Sequence, residues 1–133
     1  MDAGNLLFPR LPASHSTRRR NQLTLKADLI IKAFNRGECD GVAVGDVDLG
    51  LGKGLFLKMS EEANFPFISS NLFDRKTNKP IFKPHVMREL NGLRIGIFAL
   101  ISEDIFDKGR DQGLKEFRIE DPHQAVKRMV RKL

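Results

Sequence analysis

The chain lacks most of the groups that anchor small stapled or metal-nucleated proteins. It has one cysteine in 133 residues, Cys39, so no internal disulfide can form. No Cys/His cluster with zinc spacing occurs, and His15, His85 and His123 stand far apart in the sequence. Trp and Tyr are absent. A base-stacking platform would fall to phenylalanine alone, and apart from Arg18-Arg19-Arg20 the basic residues are dispersed, so nucleic acid is not an expected partner. No apolar run approaches the ~20 residues of a membrane-spanning helix. No charged-then-apolar leader opens the sequence.

What remains is an ordinary globular composition. The apolar fraction is 41%, enough for one core in a chain of single-domain size. The formal net charge of +6 is compatible with phosphorylated ligands or an anionic surface. The commoner meaning is a solvated basic face.

The densest signal is Val42-Ala-Val-Gly45-Asp46-Val47-Asp48-Leu-Gly50-Leu-Gly52. A short β-branched run without polar alternation reads as a buried parallel strand. Two carboxylates leave it at i and i+2. Open α/β sheets place ligand sites at such strand ends, and grouped carboxylates suit hard metals. Asp and Gly after a strand are also ordinary loop chemistry.

Around this strand the pattern alternates. Residues 2–5 read as a strand end and its turn, and residues 6–16 as a loop under which Phe8 and Leu11 tuck. A helix is expected from about Asn21 to Arg36, burying Leu25, Leu29, Ile30, Ala33 and Phe34, with Gly37 as its stop. The triple arginine would precede it. A second helix is expected over 53–63, with Leu55, Phe56, Met59 and Ala63 inward. Phe65 to Ser69 reads as a second short strand. Residues 81–90 and 93–100 flank Asn91-Gly92, the strongest short hairpin signal. After a charged loop and a short strand within 114–119, Asp121-Pro122 starts a last helix as N-cap and first-turn proline. Ala125, Val126, Met129, Val130 and Leu133 would form its buried face. Cys39 reads as packing.

In this order the residues resemble a known family. Asp2-Ala-Gly-Asn5, Ala27-Asp28, Asn35-Arg-Gly37, Asp40-Gly-Val-Ala-Val-Gly45, Phe65-Pro-Phe-Ile-Ser-Ser-Asn71 and Asn91-Gly-Leu-Arg-Ile-Gly-Ile-Phe-Ala-Leu100 resemble calcineurin-like metallophosphoesterases of the 5′-nucleotidase type. The likeness extends over nearly the whole chain. It implies an α/β chain (an α+β sandwich) carrying part of the αββα phosphoesterase fold, with residues 1–133 forming a single, incomplete domain cut at both ends. The family's Asp-x-His motif would precede Met1, and its Gly-His-x-His motif would follow Leu133.

The resemblance also implies a site built on divalent metal: Mn, Zn, Mg or Ca. The metal positions that fall within this chain are Asn5 and Asp46. Asn5 stands where the family has a bridging Asp, and an amide is a neutral, weaker ligand. Asp46 stands at the metal-binding Asn of a Gly-Asn-His-Glu motif. Val47 occupies the catalytic His position and cannot transfer a proton. No catalytic residue is therefore expected. His15, in the loop after Asn5, is the histidine best placed to substitute. The expectation is a fragment or degenerate member of a 5′-nucleotidase-like phosphomonoesterase, inactive as this chain. The alternative is a non-catalytic binding module. A phosphorylated small molecule fits as partner, and unpaired sheet edges imply self-association. Relatives are often exported or periplasmic, but the segment that would carry an export signal lies outside this chain.

Overall fold

A computed structural model of the chain describes residues 1–8, 16–50, 52–102, 104 and 112–133. Its centre is parallel. Strand β1 (Val42–Ala43) pairs in parallel with β2 (Phe67–Ile68), in register Val42 to Phe67 and Ala43 to Ile68. Single parallel bridges extend this pair on both sides, from Asp2 to Val42 and from Ile68 to Lys83. Val42, Phe67 and Ile68 are buried, as expected of strands covered on both faces.

Helix α1 (Thr17–Arg36) begins four residues earlier than the apolar period suggested. The Ser16 side chain accepts from the Arg19 amide and caps it, so the three arginines lie inside the first turns. Its inward stripe is Leu23, Ala27 and Ile31, with Ile30 and Phe34 partly covered. Leu25 and Leu29, expected inward, are 70% and 68% exposed, and Ala33 is exposed. Apolar residues occupy two stripes of this helix, and the spacing fits either. The stripe through the small Ala27 faces the core.

Helix α2 (Lys53–Glu61) buries Phe56 and Met59 and partly covers Leu55, as the spacing indicated; it ends two residues earlier than expected, so Ala63 packs against the core from beyond its C-cap. Phe56 meets Phe67 and Phe82 edge-on at centroid distances of 5.0 and 5.3 Å, so aromatic contacts tie the helix to the parallel pair. Strand β3 (Leu72–Asp74) pairs antiparallel with β6 (Phe117–Ile119). The hairpin forms as expected from β4 (His85–Leu90) and β5 (Leu93–Phe98). Asn91 and Gly92 adopt φ of 52° and 80°, the left-handed turn that Asn-Gly favours.

Helix α3 (Pro122–Lys132) is capped by Asp121, whose side chain accepts from the Gln124 amide. Ala125 and Met129 are buried, but Val130 is 65% and Leu133 43% exposed, so the inward stripe is narrower than expected. One cluster joins Leu7, Phe8, Leu23, Ile31, Val42, Leu49, Phe56, Phe65, Leu72, Ile101 and Phe117. Phe8 tucks inward as expected; Leu11 lies outside the described residues.

Candidate functional site

Two turns meet where the central strands end. The first, Gly4-Asn5, follows the Asp2 bridge, and the second, Gly45 to Leu49, follows β1. Neither glycine is replaceable without displacement. Gly4 has φ of +107°, and a Cβ there would lie 3.1 Å from the Ala43 carbonyl oxygen and the Gly45 nitrogen. A Cβ on Gly45 would fall 2.0 Å from Asn5 Oδ1. The turns therefore touch through backbone.

The structure brings both metal positions implied by the resemblance to this edge. Asn5 is exposed, with φ of 58°, and its Oδ1 accepts from the Val47 amide at 2.9 Å. Asp46 precedes the 3₁₀ turn Val47–Leu49 and is half-buried. Val47 meets Asn5 through its backbone, and its side chain offers no proton.

Asp48 behaves differently from Asp46. It is fully buried and points back into the protein. Its carboxylate accepts from the amides of Leu7 at 2.8 Å, Gly45 at 3.2 Å and Leu6 at 3.3 Å. Burial pushes its carboxyl above the ordinary range, while the amides of Leu7, Gly45, Phe8 and Leu6 pull it back. The i, i+2 spacing did not separate these roles. Asp48 ties the first turn down.

Further from the strand ends, Lys53 and Asp74 form an ion pair. Asp74 Oδ1 also accepts from the amides of Lys76 and Thr77 and from the Thr77 hydroxyl. Lys53 and these donors hold the Asp74 carboxyl well below the usual range, and Asp74 raises the Lys53 ammonium. The Lys53 backbone amide donates to Glu116 at 3.2 Å, so the pair clasps the start of α2 to the β3 turn and to the segment before β6. Asn71 closes the Phe65-Pro-Phe-Ile-Ser-Ser-Asn71 run of the resemblance. It is fully buried, donating to the carbonyls of Ile101 and Glu120 and accepting from the Ile101 amide. Its signal was its place at the end of an apolar run. The residues it joins are 30 and 49 positions away.

The histidines do not assemble a substitute site among the described residues. His15 lies outside them. His85 pairs with Phe98 in the hairpin, and the His123 side chain is 90% exposed beside Asp121. Cys39 is half-buried, with its thiol on the Gly41 carbonyl, in keeping with packing.

Among the described residues, the donors at this edge do not by themselves make up a divalent centre, and no three His, Cys, Asp or Glu side chains gather as a metal set. The Asn5 oxygen already accepts the Val47 amide, and the Asp48 carboxylate is turned onto backbone amides.

No family model matches the chain. A 5′-nucleotidase of Vibrio parahaemolyticus is 29% identical over 102 residues, covering 77% of this chain and 18% of the relative. Among solved structures, a putative 5′-nucleotidase from Staphylococcus aureus superposes with a TM-score of 0.73 at 11% identity, over 98% of this chain and 24% of that one. The calcineurin-like phosphoesterase YfkN from Bacillus subtilis gives 0.71 at 18% identity, over 98% of this chain and 42% of that one. This chain spans about 18% of the length of the curated relative. In sequence it is similar to part of the 5′-nucleotidases, and it carries part of the calcineurin-like phosphoesterase fold.

Proposed function

We propose that residues 1–133 form one portion of a 5′-nucleotidase-like phosphoesterase domain that retains the scaffold and does not hydrolyse phosphomonoesters by itself. The observation that carries this reading is the use of the strand-end side chains. Two-metal phosphoester hydrolysis needs ions ~3.5–4 Å apart to activate water and hold the leaving oxygen. At the positions that the resemblance assigns to metal and acid stand Asn5, whose oxygen is engaged by Val47, and Val47 itself. Asp46 alone keeps a carboxylate suited to a cation. In the family that cation would be Mn, Zn, Mg or Ca, and the substrate a phosphorylated small molecule of nucleotide type.

The test is phosphate release from a nucleoside 5′-monophosphate with Mn²⁺ present. The purified chain is expected to release no more than an Asp46→Ala, Val47→Ala double variant. Release well above that variant overturns the reading.

A second reading, an interaction module on the same scaffold, is favoured by exposed apolar side chains. Leu25 and Leu29 on α1, Leu90 and Leu93 at the hairpin tip, and Val130 on α3 are all more than 60% exposed. The β4–β5 hairpin is a separate two-stranded sheet among the described residues, and its outer edges support self-association. No described helix is long and apolar enough to cross a membrane.

A further inference from the structure

The edge that the resemblance assigns to metal is closed in this chain by hydrogen bonds of a reciprocal kind. The side chain of the first turn, Asn5, accepts from the backbone of the second at Val47. The side chain of the second turn, Asp48, accepts from the backbone of the first at Leu6 and Leu7. Asp48 Oδ2 also accepts from Gly45, so one oxygen holds an amide from each turn.

We propose that Asn5 and Asp48 form a metal-independent clasp between the two turns, which divalent cations neither occupy nor stabilise. This deepens the functional reading and rests on it in taking this edge as the counterpart of the family's metal edge. A carboxylate binds a cation through the same lone pairs that here accept amides. A cation reaching Asp48 would have to strip donors from a fully buried group and leave the buried Leu7 amide unpaired. The amide at position 5 suits the arrangement because it accepts a hydrogen bond without placing a second charge on the turn that Asp48 holds. Gly45 completes the clasp, since any side chain there would overlap the Asn5 oxygen.

The experiment is a thermal melt of the purified chain in EDTA and in millimolar Mn²⁺. The wild-type midpoint should be the same in both. Asp48→Asn keeps one oxygen for Leu7 but turns an amino group toward the amides of Leu6 and Gly45, so its midpoint should fall by about 10 °C. Should that variant not fold, Asn5→Ala decides, with an expected fall of a few degrees that is equal in EDTA and Mn²⁺. A saturable rise of the wild-type midpoint with Mn²⁺ overturns the clasp, as does an unchanged midpoint in both variants. The two proposals fail separately. Stabilisation by Mn²⁺ without phosphate release sinks the clasp alone. Phosphate release with an unmoved midpoint sinks the functional reading alone.

Discussion

Asn71 offers the sharpest test of how the segments of this chain are joined. Its side chain is fully buried and links the start of β3 to residues 101 and 120. Asn71→Ala removes all three bonds. The Ile101 amide then loses its acceptor in a buried setting, which costs about 1–3 kcal/mol, and each released carbonyl adds roughly 1 kcal/mol. The sum is about 3–5 kcal/mol, against a total stability on the order of 5–15 kcal/mol for a natural domain. For a chain of this size the melting midpoint should fall by roughly 10–20 °C.

Asn71→Asp separates geometry from charge. One oxygen still accepts from Ile101, but the other faces two carbonyl oxygens and the ionised group is buried without a counter-charge. The folded state would therefore raise this carboxyl above its unfolded value of about 3.9. A raised acid contributes most below the unfolded value and loses that contribution as pH rises through the folded one. The deficit of Asn71→Asp relative to wild type should accordingly shrink on acidification, while that of Asn71→Ala stays constant. Urea melts of the wild type and both variants across acid to neutral pH measure the two effects. A loss below about 1 kcal/mol for Asn71→Ala, in a protein whose surface changes stay within about 0.5 kcal/mol, would refute the reasoning.

Two further outcomes are expected. The Asp74 carboxyl is lowered and the Lys53 ammonium raised by their contact, so the pair stabilises fully above the unfolded carboxyl value near 3.9 and below the unfolded amine value near 10.4. The gap in urea midpoint between wild type and Lys53→Met should be flat across neutral pH and close as pH falls through the lowered Asp74 value; a gap independent of pH into strong acid would contradict this. The exposed Leu90 and Leu93 at the hairpin tip should promote self-association, seen as a sedimentation coefficient that rises with concentration and falls back in a Leu90→Lys, Leu93→Lys variant. A monodisperse wild-type monomer at high concentration would count against it.

The sequence was most legible where structure is local. Asn91-Gly92 specifies its hairpin, and Asp121-Pro122 its helix start, through backbone preferences of the residues themselves. The buried run at Val42 and the order of strands and helices were readable from apolar patterning, whereas the likeness to 5′-nucleotidases rests on the resemblance of whole motifs. Helix α1 shows where local reading stops. Leu25 and Leu29 fit an inward face as well as Leu23 and Ile31 do, and only packing against the core selects between them. Asp48 shows it for the site. An acid after a strand can ligate a cation or cap backbone amides, and the amides that decide the matter belong to Leu6 and Leu7, 42 and 41 residues earlier. Asn71 and the β3–β6 pairing depend on contacts of similar reach.

In the proposed reading the chain keeps part of the phosphoesterase fold, while hydrogen bonds between Asn5, Asp48 and the two turns close its strand-end edge. The most direct test is a calorimetric titration of the folded, metal-free chain with Mn²⁺. No saturable heat is expected. Saturable binding at micromolar affinity, lost in Asp46→Ala, would contradict it and show that the altered strand end still holds a cation.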